Sequence, residues 1–425
     1  MKSNIHLTHE VRAQILDRVK EVVLKRFYDP RFNGLDWPAL VAERRAAILD
    51  CELDQFERAV NELLRELKAS HVGFFGARFK SASARQAVSA TLIKAETSHG
   101  ARWRFQDVHR GGAAHNSGIK AGDILLTLAG REVTTSESPA FPMGESIEAD
   151  VVQSGMKTAR LRIDVPDPRS KKQPVNVPEV VTAVRVANGL GLIKISMFPG
   201  MVGIDVANSM SAATRELAPD RLIVDLRGNT GGGMGCLRVM SYLCPDRRGV
   251  GHSVTRKRVE KGFDKETLPV FDRIPPTKLG LLPLIAKFAF GDKSIAVKTE
   301  ALGPQQFHGR IVVLVNQHSA SASEMIAAFA VENTLATIVG EKTAGRVVGA
   351  NSFKVGYGYR VALPVVEYRT WAGTVLESKG VVPDVLEPFS ADAAWTGVDG
   401  QVQKAIEIVN GLEKRTASDP SDKAC

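Results

Sequence analysis

Three serines in a run of small residues are the first candidates for chemistry in this chain. Ser319, Ser321 and Ser323 follow the apolar run Ile311–Val315, whose β-branched residues predict a buried strand. Residues 322–330 are rich in helix formers and carry an acid in the first turn. A serine between a strand and a helix lies at the helix N-terminus, where partial positive charge favours a developing oxyanion. The segment predicts either a nucleophilic serine or, more simply, a helix cap.

A glycine-rich turn is the second candidate. Arg221–Asp225 is predicted to be another buried strand, and three consecutive glycines follow it after a polar turn. Glycines let the backbone approach a ligand closely, with amide groups free to donate. The turn lacks the lysine and hydroxyl residue of a phosphate-binding loop. We therefore expect an oxyanion site at Gly231 and Gly232, with a plain glycine-rich hairpin as the alternative, and a structural pair between Asp225 and Arg227.

The order of these motifs resembles the tail-specific, or carboxy-terminal processing, serine proteases. DLRGNTGG stands at 225–232, SASASE follows at 319–324, and VGEKTAGR at 339–346 is similar to the next motif of that family. The resemblance implies an α/β core of the ClpP/crotonase type with Ser321 as the nucleophile. The amides of Ala322 and of Gly232, or equally of Gly231 next to it, would then hold the oxyanion.

The expected base departs from the usual pattern of that family. Its bacterial processing members pair the serine with a lysine at the place where this chain has Arg346. A guanidinium stays protonated at ordinary pH and cannot act as a general base. Lys342, four residues earlier, is an alternative base, although a solvated surface lysine explains it equally simply.

A serine–histidine pair offers another base. Ser70 and His71 stand side by side before a glycine, which resembles the tricorn-like branch of the same superfamily. That resemblance implies His71 as the base for Ser321, with Ser70 and Glu377 in support. Neutral imidazole would accept the serine proton and return it to the leaving amine.

The middle of the chain resembles a PDZ domain. Residues 109–131 contain a small-residue helix, a Gly–Asp turn, a strand at Ile124–Leu128 and a tight turn at Ala129–Gly130. PDZ domains bind extended peptide ends at an exposed sheet edge, and Trp103–Phe105 is expected to lie near that edge. The carboxylate-binding loop is not recognisable, so the module is expected to aid substrate recognition or to gate the site.

The predicted architecture is a multidomain α/β protein. Its parts are a helical N-terminal domain (1–78), a PDZ-like β module (86–165), a linker (166–179), a protease core (180–390) with an insertion (264–304), and a C-terminal helix with a polar tail (391–425). The apolar patch Leu279–Ala286 in the insertion is interpreted as a lid over the cleft, a contact within a homo-oligomer, or a buried helical excursion.

Composition excludes several function classes. The net charge is +9 over 425 residues, but the basic residues are scattered without interleaved aromatics, so nucleic-acid binding is not expected. The chain has no apolar run long enough to cross a bilayer and no apolar signal core at its start, which predicts a cytoplasmic protein. The histidines and the four cysteines show no metal spacing, so neither metal nor organic cofactor is expected.

The sequence predicts a serine peptidase that cleaves peptide or unfolded protein substrates. Two alternatives stay open. One is a non-catalytic protein that binds an apolar ligand on the same scaffold, and the other is an inactive PDZ-containing adaptor. The intact set of Ser70, His71, Ser321 and Glu377 argues against both, since an inactive descendant is free to lose it.

Overall fold

The N-terminal region is helical where apolar residues recur at helical spacing. The computed structural model describes residues 7–76, 81–167, 177–280 and 293–414. The first helix begins after Thr8, whose hydroxyl accepts a hydrogen bond from the Val11 amide and so caps the helix. The elements of this region are α1 (His9–Arg26), α2 (Trp37–Asp50), α3 (Phe56–Arg65) and β1 (Gly73–Phe75).

An antiparallel sheet with its own apolar core occupies the middle of the chain. Its strand order is β3-β4-β5-β8-β9, with β6 beside β5, while β2 pairs with β7 separately. The elements are β2 (Ser81–Ser83), α4 (Ala84–Ala87), β3 (Ala90–Thr97), β4 (Gly100–Val108), α5 (Ala113–Asn116), β5 (Ile124–Leu128), β6 (Arg131–Glu132), β7 (Ala140–Pro142), β8 (Ser146–Gln153) and β9 (Lys157–Asp164).

Two details of this sheet bear on the sequence predictions. Strand β5 has the predicted bounds, and both Ala129 and Gly130 have positive φ, as a tight hairpin turn requires. Trp103–Phe105 belong to β4, which is hydrogen-bonded to the outer strand β3 on one side and to β5 on the other. These residues therefore lie one strand in from the edge of the sheet. The likeness to a PDZ domain stays a prediction.

The remaining elements build two further sheets. They are β10 (Val181–Ala187), β11 (Leu190–Ile195), α6 (Ile204–Leu217), β12 (Arg221–Asp225), α7 (Cys236–Leu243), β13 (Gly249–Thr255), α8 (Arg256–Lys261), β14 (Val270–Phe271), β15 (Ile295–Lys298), β16 (Ile311–Val315), α9 (Ala322–Glu332), β17 (Thr337–Gly340), β18 (Val348–Gly356), β19 (Tyr359–Thr370), β20 (Val385–Leu386), α10 (Ala391–Trp395) and α11 (Gly400–Gly411).

The first of these sheets is mostly parallel and has the order β10-β11-β12-β16-β17-β20. Only β10 runs antiparallel to its neighbour. Helices α6, α7 and α9 pack on one face, and α11 packs on the other through Ala405 and Val409. All five residues of β16 are buried because both faces are covered. The C-terminal helix is therefore part of this layered core rather than part of a terminal appendage.

A buried ion pair ties α11 to the parallel sheet. Arg227 donates to both carboxylate oxygens of Asp225 at 2.9 and 2.8 Å, as expected for a structural pair. The same guanidinium donates to Asp399, which caps the N-terminus of α11. The sheet end and the helix that covers it are thus held by one side chain.

The second sheet has the order β1-β19-β13-β15-β14, with β18 also paired to β19. The described part of the predicted insertion contributes β14 and β15 to this sheet, so this part is a sheet component and not a lid. Most of the apolar patch Leu279–Ala286 lies outside the described residues. Within the described ranges, none of the helices has the length and apolar character that crossing a membrane requires.

The N-terminal helices share their apolar core with β18 and β19. Phe56 packs edge-on against Phe74 and Tyr359, and the Phe74 and Tyr359 rings stack at 4.9 Å. Leu363 and Val361 of β19 lie in the same buried cluster as the helices. Because β1 pairs with β19, this helical N-terminal region folds against the second sheet.

Replacing Leu363 with alanine tests this shared core. Removing a fully buried leucine costs about 2–5 kcal/mol of unfolding free energy. We expect Leu363→Ala to lower the amide-exchange protection of α1–α3 together with that of β19. Leu386→Ala, at a residue that is 72% exposed, is the matched control. Loss of protection confined to β19 would contradict the shared core.

Candidate active site

The serine-containing turn and the glycine-rich turn meet at the carboxyl ends of the parallel strands. Strands β12 and β16 are parallel neighbours, so the turns that follow them lie side by side. The Asn229 carbonyl accepts hydrogen bonds from the Ala320 amide (3.0 Å) and the Ser323 hydroxyl (3.1 Å). A Cβ at Gly231 would lie 2.6 Å from the Ser321 Cβ, so only glycine permits this approach. Asn229 and Gly231 thus hold the two turns close against each other.

Ser321 has the backbone conformation of a strained turn. It lies between β16 and α9 with φ 53° and ψ −116°, a conformation that costs a non-glycine residue free energy. The sharp turn presents the side chain at the N-terminus of α9, as in a nucleophile elbow. The neighbouring Ser319 and Ser323 are fully buried and hydrogen-bonded to main-chain carbonyls, at Leu226 and Asn229. Of the three serines, Ser321 is the one with partial solvent access.

Two backbone amides beside Ser321 are free to donate. Among the described residues, neither the Gly232 nor the Ala322 amide has a hydrogen-bond partner. The Gly231 amide, in contrast, donates to the Asn229 side chain at 2.8 Å. The expectation that Gly231 could equally bind the oxyanion is therefore corrected: its donor is already used, and its role is close packing. Gly232 and Ala322 are left as the candidate oxyanion donors.

Glu324 organises the neighbourhood of Ser321, a role that the sequence did not reveal. Its carboxylate is fully buried and accepts hydrogen bonds from the Ser321 amide (3.1 Å), the Arg346 amide (2.8 Å), the Gly345 amide (2.7 Å) and the Thr343 hydroxyl (2.6 Å). Burial raises the pKa of Glu324, while these hydrogen bonds oppose the shift. The sequence shows only an acid in the first turn of a helix, a position that usually complements the helix dipole.

Ser70 and His71 come together with Glu377, although Glu377 lies 307 positions after Ser70 in the chain. The pairing of β1 with β19 brings the chain before β1 close to the chain after β19. Glu377 accepts from the Ser70 amide at 2.6 Å and from the Ser70 hydroxyl at 3.1 Å. The Ser70 hydroxyl also lies 2.8 Å from His71 Nδ1. His71 itself has a positive φ of 59°, a second strained residue in this region.

One hydrogen-bonded path joins the surroundings of Ser321 to the group formed by Ser70, His71 and Glu377. Glu324 holds both Ser321 and the Arg346 amide, and the next amide, Val347, donates to Glu377 at 2.8 Å. Within the described ranges, no direct hydrogen bond joins His71 and Ser321. Catalytic hydrogen bonds are often long without substrate.

The VGEKTAGR motif carries two basic residues, Lys342 and Arg346, which the structure places differently from a general base for Ser321. Lys342 is exposed, and its side chain makes no hydrogen bond to Ser321 in the part of the chain that the structure describes. Arg346 is also exposed, yet its charge acts on His71. Partial desolvation lowers the pKa of His71, the Glu377 charge opposes this shift, and the Arg346 charge adds to it. The protein thus favours neutral imidazole, the form that a general base needs.

The middle region of the chain contacts the glycine-rich turn that carries the candidate oxyanion donor Gly232. The Arg85 side chain donates to the Gly228 carbonyl (2.9 Å) and the Ser196 carbonyl (2.5 Å). Asp107, fully buried, accepts from the Asn316 side chain, whose oxygen accepts from the Gly228 amide. His109 Nε2 lies 3.2 Å from the Gly228 carbonyl. No sequence motif predicted these contacts, because they join segments that are distant in the chain.

Replacing Glu324 with glutamine tests its central position. The amide nitrogen of glutamine would face N–H or O–H donors, leaving buried donors unsatisfied at a cost of about 1–3 kcal/mol each. We expect Glu324→Gln to lower the unfolding free energy in urea by about 2–4 kcal/mol. Glu407→Gln, on the exposed face of α11, is the control. A stability equal to that of the native chain would contradict the role assigned to this carboxylate.

Comparison with known proteins agrees with this geometry. Residues 189–386 match peptidase family S41. The chain is 25% identical over 314 residues to a carboxyl-terminal-processing protease of Synechocystis, an alignment covering 71% of this chain and 63% of that protein. It is 23% identical over 421 residues to a putative tricorn protease homolog of Streptomyces coelicolor, covering 93% of this chain and 32% of that protein. The chain thus spans less than two thirds of the length of these relatives.

The fold is also that of known S41 structures. The photosystem II D1 C-terminal processing protease superposes with a TM-score of 0.54 at 20% identity, over 89% of this chain and 93% of that one. The mixed α/β architecture expected from the sequence is thereby confirmed, as is the resemblance to processing and tricorn-like proteases. Residues 189–386, just under half of the chain, are thus similar to peptidase family S41.

Proposed function

We propose that this protein is a serine peptidase that hydrolyses peptide bonds in protein or peptide substrates. The observation that carries the proposal is the strained turn at Ser321, which lies at the N-terminus of α9 and packs against Gly231, while the neighbouring amides of Gly232 and Ala322 have no partner among the described residues. Unpaired amides near a serine at a helix N-terminus suit acyl transfer, because such donors can stabilise the negative charge of a tetrahedral intermediate. The match of residues 189–386 to peptidase family S41 supports the same chemistry.

In the proposed mechanism, His71 acts through Nε2. The Ser70 hydroxyl has one proton and donates it to Glu377, so its oxygen accepts from the Nδ1–H of His71. Neutral His71 then carries its proton on Nδ1 and keeps the Nε2 lone pair free. Nε2 takes the proton of Ser321 as its oxygen attacks the substrate carbonyl, and later gives that proton to the leaving amine. Ser70 and Glu377 orient the ring and stabilise the imidazolium.

We further propose that residues 86–165 form a PDZ-like module that aids substrate recognition or gates the site. Two observations support a coupled role. The sheet has two outer strands, β3 and β9, to which an extended peptide could add. Its His109, together with Arg85 directly before the module, also contacts the Gly228 carbonyl, four residues before the proposed oxyanion donor Gly232.

Labelling with a fluorophosphonate tests the nucleophile and the base together. We expect the native chain to react, because a histidine-activated serine attacks such probes, and both Ser321→Ala and His71→Ala to lose labelling. Ser323→Ala is a control, since that serine is buried and hydrogen-bonded to a carbonyl. Labelling that persists in His71→Ala but disappears in Lys342→Gln would contradict the proposed base. A native chain without labelling would favour the ligand-binding or adaptor alternatives.

The pH dependence of kcat/KM gives a second test with a defined sign. Only neutral His71 is a base, so kcat/KM should fall as pH drops through the pKa of His71, which lies below the ordinary histidine value. Arg346 lowers that pKa, so Arg346→Gln should move the acid limb to higher pH. Glu377 raises it, so Glu377→Gln should move the limb to lower pH.

Lys342→Gln is the matched control for this pH profile. It removes an exposed positive charge from the same segment, but Lys342, unlike Arg346, is not among the charges that shift the pKa of His71. The acid limb should therefore stay where it is in the native enzyme. If Arg346→Gln and Glu377→Gln moved the acid limb of the kcat/KM profile in the same direction, that limb would not reflect the ionisation of His71.

A further inference from the structure

A charged cavity opens beside the Ser70–His71–Glu377 group. It has a volume of about 380 Å³ and lies between the N-terminal region and the segment from β19 to Glu377. Glu377 lines this cavity and also binds Ser70, so the cavity adjoins the proposed base. Six of its lining residues carry formal charge: Asp29, Arg31, Lys68, Glu367, Arg369 and Glu377.

The three carboxylates of this cavity already have partners. Asp29 accepts from the Arg31 amide at 3.0 Å and from the Asn33 amide at 2.7 Å. Glu367 accepts from the Arg369 guanidinium at 3.0 and 3.2 Å. Glu377 is held by the amides and hydroxyl described above. Their oxygens are therefore occupied by protein donors, which leaves little capacity to bind an incoming cation.

The cations are much less engaged. In the described ranges, the side chains of Arg31 and Lys68 form neither a hydrogen bond nor an ion pair, and Arg369 uses only Nη2. The side chains of Arg31 and Lys68 are exposed, and Lys68 has a positive φ of 49° directly after Leu67, whose carbonyl accepts from the Asn33 side chain at 2.7 Å. Such strain in a lysine at the rim of a cleft suggests a functional position. The cavity thus offers unpaired donors of positive charge.

We propose that this cavity is a substrate subsite that binds a carboxylate of the peptide through Arg31 and Lys68, with Arg369 in support. This inference rests on the proposed peptidase function. The guanidinium fork and the ammonium group suit a carboxylate, which can accept several charge-assisted hydrogen bonds. An acidic side chain near the cut and a free C-terminal carboxylate present the same group, so either source fits the cavity.

Paired peptides separate the two sources of the carboxylate. One pair has Glu or Gln at successive positions around the cut, with an amidated C-terminus. The other pair has a neutral sequence that ends in a free carboxylate or in an amide. For the native enzyme, we expect the ratio of kcat/KM between the acid and the neutral member of at least one pair to be on the order of tenfold. The double variant Arg31→Gln, Lys68→Gln should lose most of this preference.

The double variant Arg65→Gln, Lys379→Gln is the matched control. It also removes one arginine and one lysine, both exposed and both outside the lining of the cavity. It should keep the native ratio, and thermal unfolding of both double variants checks that they fold. Equal cleavage of the acid and neutral members of both pairs by the native enzyme, or faster cleavage of the neutral members, would overturn the carboxylate subsite while leaving the peptidase intact. A folded native chain that cleaves no peptide and reacts with no fluorophosphonate would instead overturn the peptidase function itself.

Discussion

The arrangement around Ser321 depends on one buried carboxylate. Glu324 accepts four hydrogen bonds, one from the Ser321 amide and three from the segment Thr343–Arg346. An acid buried without such donors would be costly, so the donors and the acid stabilise each other. The carboxylate fixes the sharp turn at Ser321 and places Val347 where its amide reaches Glu377. Ser321, the proposed nucleophile, and the segment next to the proposed base are therefore positioned through a single side chain.

A second constraint comes from the distance along the sequence between the residues of the proposed site. The proposed base lies in the N-terminal region, and the nucleophile lies about 250 residues later. The structure closes this distance by pairing β1 with β19 and by packing α1–α3 against β18 and β19. The positive-φ residues Lys68 and His71 lie between α3 and β1, inside the region that this packing holds. Stability of the shared core and the geometry of the site are consequently linked.

Local patterns explain which features were predictable from the sequence. Buried strands with a polar end, such as Ile311–Val315, and helices with apolar spacing, such as α1, are determined by neighbouring residues and were predicted well. The grouping of Ser70, His71 and Glu377 followed from a family resemblance, and the structure brings these three residues together. The role of Glu324, the use of the Gly231 amide by Asn229 and the placement of Trp103 in an inner strand depend on contacts between distant segments. No short-range pattern encodes such contacts.

The most direct test of the proposed chemistry is a crystal structure of the protein with a peptide boronic acid. We expect a covalent bond from the boron to the Ser321 hydroxyl oxygen. One boronate oxygen should lie about 2.7–3.1 Å from the amides of both Gly232 and Ala322, and a second should contact Nε2 of His71. A boronate bound to another residue, or one whose oxygens contact neither of these amides, would contradict the account.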